Sequence, residues 1–249
     1  MRLTRIHVPG PLAPGTEIPL PAHAAGHLVR VLRLPPGARL VLFDGSGGEF
    51  AATLTGSRGK EVRARVENHV DIERESSLDV TLLQGIARGE RMDFVVQKAT
   101  ELGVARVLPF AADRSVVRLD AKQGERKREH WLGVAISACE QCGRNRVPHI
   151  AAPSSLQAQL QELPTGALCC LLRTDGTASL ATVATRATGR AVVLLIGPEG
   201  GLAEGEEALA LAHGFTGCRL GPRVLRTETA GLAALAALQA VAGDFTDAG

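Results

Sequence analysis

The stretch "LLIGPEGGLAEGEEAL", residues 194–209, decides the fold class of this chain. An apolar run ends at Gly197, passes through the turn Gly197-Pro198-Glu199-Gly200-Gly201, and opens into an acidic segment with helical character. A buried strand handed to a helix through glycines is the repeating step of an α/β sheet, and such sheets bind ligands at the carboxyl ends of their strands. The turn is not a phosphate loop. It lacks the Lys-Ser/Thr that follows the last glycine of a P-loop and the third glycine of a dinucleotide fingerprint. Pro198 has no N–H to offer a phosphate, and Glu199 repels one.

A second junction of the same kind follows at "RLGPRVLRTETAG", residues 219–231. Here Thr227 is the expected N-cap of a helix, and Glu228 sits where the helix dipole favours an anion. Two glycine loops rich in carboxylate and poor in anion donors suit a neutral or cationic ligand. S-adenosylmethionine, whose sulfonium is positive, meets that description, although charge alone does not select it.

Working outward, residues 78–249 alternate strand and helix. "LDVTLLQGIA", "VARVLPFAA", "ALCCLLR", "RAVVLLIG" and "GCRLG" read as strands. Between the first two, Met92, Val95, Val96, Ala99 and Leu102 recur at helical spacing. A long charged helix is expected from Lys122 to Cys142, with Trp131, Ala135 and Ala138 inward, and further helices at "SSLQAQLQEL", "SLATVATR", "EGEEALALAHG" and Glu228 to Ala242. This alternation predicts a parallel sheet with helices on both faces. Residues 38–70 differ: "ARLVLFDG", "GEFAATLTG" and "EVRARVENHV" alternate as short strands, which predicts a small β-barrel or sandwich. The polar, aperiodic "ENHVDIERESSLD" places a linker near residues 71–77, so domains are expected at 1–72 and 73–249.

The bulk properties narrow the function classes. With 249 residues, 45% of them hydrophobic, and a mean hydropathy of +0.09, the chain can bury a full core. Its net charge of +2 excludes a general polycation, yet of 28 basic residues only Lys60, Lys98, Lys122 and Lys127 are lysine. Residues 1–70 hold nine basic against five acidic side chains, which points to an anionic partner near the N-terminal part. "MRLTRIHVPGPL" has no signal-peptide core, and "TAGLAALAALQAVAG" is short and alanine-rich for a membrane span, so a cytoplasmic protein without membrane contact is expected. Five cysteines, an odd number, argue for reduced thiols. Cys139 and Cys142 have zinc-like spacing without a second ligand pair, so no metal is expected.

Four blocks, "KATELGV" (98–104), "EQCGRNRVP" (140–148), "LLIGPEGGL" (194–202) and "LGPRVLRTETA" (220–230), resemble in order and spacing those of the RsmE family. Its members are bacterial 16S rRNA uracil-N3 methyltransferases of the SPOUT superfamily. "HLVRVLRLPPGARLVLFDGSGGEFAATL" (27–54) also resembles that family's RNA-binding domain, so the likeness covers nearly the whole chain. The resemblance implies a PUA-like β-barrel followed by a SPOUT-type parallel sheet with a C-terminal trefoil knot. It implies S-adenosylmethionine as cofactor, 16S rRNA in the small ribosomal subunit as partner, uridine 1498 as target, and a homodimer whose sites borrow residues across subunits. His7 departs from the pattern, standing where relatives often carry an aromatic residue. With no tyrosine in the chain, base stacking must lean on Arg or His faces.

Methylating N3 of uracil requires an unpaired base, removal of the imide proton and in-line delivery of the nitrogen. A carboxylate can take the proton, and an arginine can offset charge on the uracil oxygens. Arg226 and Glu228 are the first catalytic candidates, and Glu140 and Arg144 the second. Glu140 and Gln141 have the alternative role of bracing the site from a helix end. The resemblance puts cofactor contacts at Leu172, Gly197, Glu199, Gly200, Gly201, Leu220, Gly221, Leu225, Arg226 and Thr229. Arg30, Arg33 and Arg39 are candidate RNA contacts, and Arg144 and Arg146 suit RNA phosphate or a dimer contact equally. The rival expectations are another SPOUT methylation (ribose 2′-O or guanine N1), a non-catalytic RNA-binding protein and, more remotely, a nucleotide hydrolase.

Overall fold

The computed structural model describes residues 3–58, 61–115 and 120–245. The chain divides into two compact units, one of Met1–Glu75 with Cys139–Val147 and one of Ser76–Ala138 with Pro148–Gly249.

The first unit is built on β1 (Thr4–His7), β2 (Glu17–Pro19), α1 (Ala22–Gly26), β3 (Arg39–Phe43), β4 (Glu49–Arg58) and β5 (Glu61–Val70), with a π-helical turn at His27–Val31. Its sheet runs in the order β1-β3-β4-β5-β2, with β1 parallel to β3 and the other pairs antiparallel. Alternation along the strands turns Leu40, Leu42, Ala64 and Val66 into a core closed by Leu28 and Ile6. This is the β-rich unit expected from residues 38–70. The strands β1 and β2 and the helical turns at 22–31 extend that expectation.

The second unit comprises β6 (Val80–Gly85), α2 (Arg91–Glu101), β7 (Arg106–Ala111), α3 (Ala121–Cys142), β8 (His149–Ile150), β9 (Ser154–Ser155) and α4 (Leu156–Gln161). It continues through β10 (Leu168–Leu172), β11 (Ala178–Ser179), α5 (Leu180–Ala184), β12 (Val192–Ile196), α6 (Glu204–Ala212), β13 (Thr216–Arg219) and α7 (Thr227–Ala242). The sheet order is β11-β13-β10-β12-β6-β7-β8, and β9 also pairs with β7; every pairing is parallel. The central strands β6 and β12 are buried at every position, which is why they read as unbroken apolar runs. Leu83, Val193 and Leu195 join the cluster of Leu156, Leu160 and Ala210 from α4 and α6. On the opposite face Gly231 of α7 lies close over Leu82, Gln84 and Ile196. Among the described residues no helix is long and apolar enough to cross a membrane.

Candidate functional site

A cleft of about 680 Å³ opens at the carboxyl ends of β10 and β12 and beneath the loop that leads from β13 into α7. Its walls come from Leu171–Asp175, Ile196–Glu199 with Gly201 and Leu202, and Val224–Glu228. A smaller pocket of about 90 Å³ adjoins it and is lined by Leu220, Gly221 and Arg223.

The turn after β12 keeps its shape through local and distant contacts. Gly201 has φ of +70°, a region side chains avoid, and its N–H donates to Pro198 O at 2.9 Å. The carboxylate of Glu199, in the middle of the turn, accepts from the Arg88 N–H (3.1 Å) and from Arg91 Nη1 (2.8 Å) at the start of α2. Burial pushes this carboxyl up, but those donors and its own N–H outweigh it and hold Glu199 below the usual range. Glu199 therefore belongs to a clamp between β12 and α2. On the other side Thr227 Oγ1 donates to Gly197 O at 2.6 Å and accepts from Gln84 Nε2 at 2.9 Å, all near the buried end of β6.

That hydroxyl corrects one expectation. Thr227 is not the N-cap; Arg226 is, with extended backbone, and its carbonyl accepts from the Thr229 and Ala230 N–H groups. Thr227 is the first helical residue and is buried, so its side chain joins two loops instead of closing the helix end. Glu228 follows in the first turn with its side chain mostly buried. Arg91 Nε lies 3.9 Å from Glu228 Oε1, and Glu228 Oε2 has no hydrogen-bond partner among the described residues. Across the cleft Arg173 holds Asp175 through two bonds (2.9 and 2.8 Å) and Glu207 through one (2.8 Å). The loops are thus less poor in cations than expected: Arg91, Arg173 and Arg226 stand among Asp175, Glu199, Glu207 and Glu228.

Two family models match, one described as an RNA methyltransferase domain over residues 74–239 and one as an RNA methyltransferase PUA domain over residues 20–67. The chain is 36% identical over 219 residues to ribosomal RNA small subunit methyltransferase E of Bacillus subtilis, covering 85% of each. The chain belongs to the RsmE family. A methyltransferase of Legionella pneumophila, solved with bound S-adenosylmethionine, superposes with a TM-score of 0.92 at 39% identity, over 98% of this chain and 100% of that one. The family member from Neisseria gonorrhoeae, also bound to S-adenosylmethionine, gives 0.90 at 37%, with the same coverage.

In this RsmE-family chain the cleft gathers Leu172, Gly197, Glu199, Gly201, Leu225, Arg226 and Glu228, and the adjoining pocket adds Leu220 and Gly221. Two of the expected cofactor contacts do not line it. A Cβ on Gly200 would meet Arg114 O at 3.1 Å, so that glycine serves packing of the turn, and Thr229 is exposed on α7. Sequence reasoning missed Gln84, Gly85, Arg91 and the Asp175-Gly176 step. Gly85 ends the apolar run of β6 as Gly197 ends that of β12, a parallel that would have marked it. Gly176 lies against the β13 backbone, where a Cβ would meet Cys218 C at 2.6 Å.

Glu140, Arg144 and Arg146 belong to the first unit, as do Arg30, Arg33 and Arg39. Glu140 Oε1 accepts from the His7 N–H at 3.0 Å, and burial pushes its carboxyl above the usual range against the opposing effects of the His7 N–H, of the neighbouring His23 and His27 and of Arg5. Arg144 is buried and grips Glu75 through Nε (2.9 Å) and Nη2 (2.6 Å), while its carbonyl accepts from Arg5. That pairing takes Arg144 out of the arginines presented to solvent. Arg146 is more open, 3.5 Å from Glu73. Arg30, Arg33 and Arg39 are exposed. Cys139 is buried, which pushes its thiol up to about 12 and keeps it protonated.

Proposed function

We propose that the cleft binds S-adenosylmethionine and that this cytoplasmic enzyme, acting as a homodimer, methylates N3 of one uridine in 16S rRNA of the small ribosomal subunit. Support comes above all from the cleft at the ends of β10 and β12, walled in part by Glu228, in a chain aligned end to end with cofactor-bound relatives. A cationic sulfonium fits a site of four carboxylates and three arginines, in which the single Arg173 is shared between Asp175 and Glu207. The volume of about 680 Å³ also suits a cofactor-sized ligand. Leu172, Leu202 and Leu225 supply apolar surface, and backbone groups of Gly197, Glu199, Gly201, Leu220, Gly221 and Leu225 supply polar contacts. When bound, the cofactor supplies an electrophilic methyl group on a cationic sulfur.

The remaining chemistry is the protein's. The Glu228 carboxylate accepts the imide proton, leaving the N3 lone pair available. Arg226, exposed beside it, offsets the charge that spreads to the uracil oxygens. Alignment of the base contributes the larger share of the acceleration. Arg30, Arg33, Arg39 and Arg146 make salt-sensitive phosphate contacts that hold the RNA. Incubation with labelled cofactor and undermodified small subunits, followed by mapping of the modified nucleotide, tests the assignment. N3-methyluridine at one position supports it, and a ribose or guanine product overturns it.

A further inference from the structure

We propose that Arg91 is a positioning residue for methyl transfer, bridging Glu199 in the turn after β12 to Glu228 at the start of α7 and so fixing how the Glu228 carboxylate meets the incoming base. The inference rests on Glu228 as the proton acceptor. One guanidinium faces two carboxylates through two different nitrogens, Nη1 to Glu199 Oε1 at 2.8 Å and Nε to Glu228 Oε1 at 3.9 Å. Glu199 has a second donor, the Arg88 N–H. Glu228 has Arg91 as its ion-pair partner at Oε1, and its buried Oε2 has no hydrogen-bond partner among the described residues.

The surrounding charges reinforce this asymmetry. Arg173 is occupied by Asp175 and Glu207, and Arg226 stands at the exposed lip. From α2, Asp93 faces away to Trp131 and His130. Lys98 pairs with Glu101. With Oε2 buried and Oε1 facing the Arg91 guanidinium, the Glu228 carboxylate is confined in orientation, which a base needs to meet a proton within hydrogen-bond reach. Arginine suits the task because its planar fork offers separate donors to two acceptors at once, which a lysine ammonium does with less directional control. Arg91 is the first residue of α2, about two-fifths exposed, so replacing it opens no cavity in the core.

The test is single-turnover methyl transfer to undermodified small subunits with cofactor and RNA both saturating, beside calorimetric cofactor affinity. Arg91→Ala is expected to slow transfer between about 10- and 100-fold, the loss typical of a misplaced reacting group. Arg91→Lys, which keeps the cation but not the planar fork, recovers only part of that loss. In the Glu228→Gln background Arg91→Ala adds little, because its effect passes through the carboxylate. If Glu228→Gln itself transfers at the parental rate, the assignment of the base fails. If Glu228→Gln is slow but Arg91→Ala keeps the parental rate at saturation, or slows both backgrounds equally, Arg91 merely holds the turn and this inference is overturned.

Discussion

Replacing Gly85 with alanine asks whether the turn after β12 is the seat of the cofactor. A Cβ at Gly85 would lie 2.5 Å from Pro198 N, 2.6 Å from Pro198 Cδ and 3.0 Å from Gly197 C. Ordinary contact begins at 3.4 Å, so Pro198 must retreat by about 0.9 Å. No flexible side chain can swing aside, since the atoms met are backbone or ring. Thr227 resists the retreat by holding Gly197 O at 2.6 Å. The overpacking is expected to cost about 1–3 kcal/mol of stability, read as a lower urea midpoint. A turn displaced by about 1 Å is expected to weaken S-adenosylmethionine by about 100-fold in titration calorimetry. Gly133→Ala in α3, with nothing within 4 Å of the new methyl group, makes the same chemical change in open space and leaves affinity unaltered. A folded Gly85→Ala protein that binds cofactor like the parent would refute the placement of the site against this turn.

Thr227→Val removes the hydroxyl between Gly197 O and Gln84 Nε2 at nearly constant volume and should cost about 2–3 kcal/mol by urea unfolding, while Thr227→Ser costs under about 1 kcal/mol. Equal midpoints for the two variants would show that the bridge contributes nothing. Arg226→Ala should depress the single-turnover rate more than RNA affinity, and Glu228→Gln should depress the rate with RNA affinity kept. Parental rates in both would return the catalytic role to Glu140 and Arg144. Glu140, whose carboxyl is pushed up by burial, binds its proton more tightly folded than unfolded, so its penalty is absent at low pH and grows as pH rises through the unfolded value toward the folded one. Glu140→Gln should therefore raise the urea midpoint at about pH 8 and leave it unchanged at about pH 4, with methyl transfer retained. A collapse of transfer in that variant would make Glu140 catalytic.

What could be read in the chain follows from how local each cause is. The runs of β6 and β12 announce a buried parallel sheet because both faces of each strand are covered, and the glycines that end them mark where the cleft forms. The strands β1 and β2, four and three residues long amid prolines, carry too short a pattern to stand out. Thr227 looked like a cap because residue type signals capping locally. Its actual partners lie 30 and 143 residues away, and only the fold brings them together. Arg91 was hidden for the same reason, since "GERMDF" reads as an ordinary helix start until Glu199 and Glu228 arrive beside it. Arg144 illustrates the converse. Its charge suits RNA phosphate or a dimer contact, whereas the linker residue Glu75 occupies it.

One assay of the full chain reads the modified nucleotide itself. Undermodified small subunits are incubated with S-adenosylmethionine labelled in its methyl group, and the 16S rRNA is digested and read by mass spectrometry. The account requires one labelled N3-methyluridine per subunit, and its loss in Glu228→Gln. Label on a ribose hydroxyl or a guanine, or the absence of label from a folded, cofactor-binding protein, would contradict it.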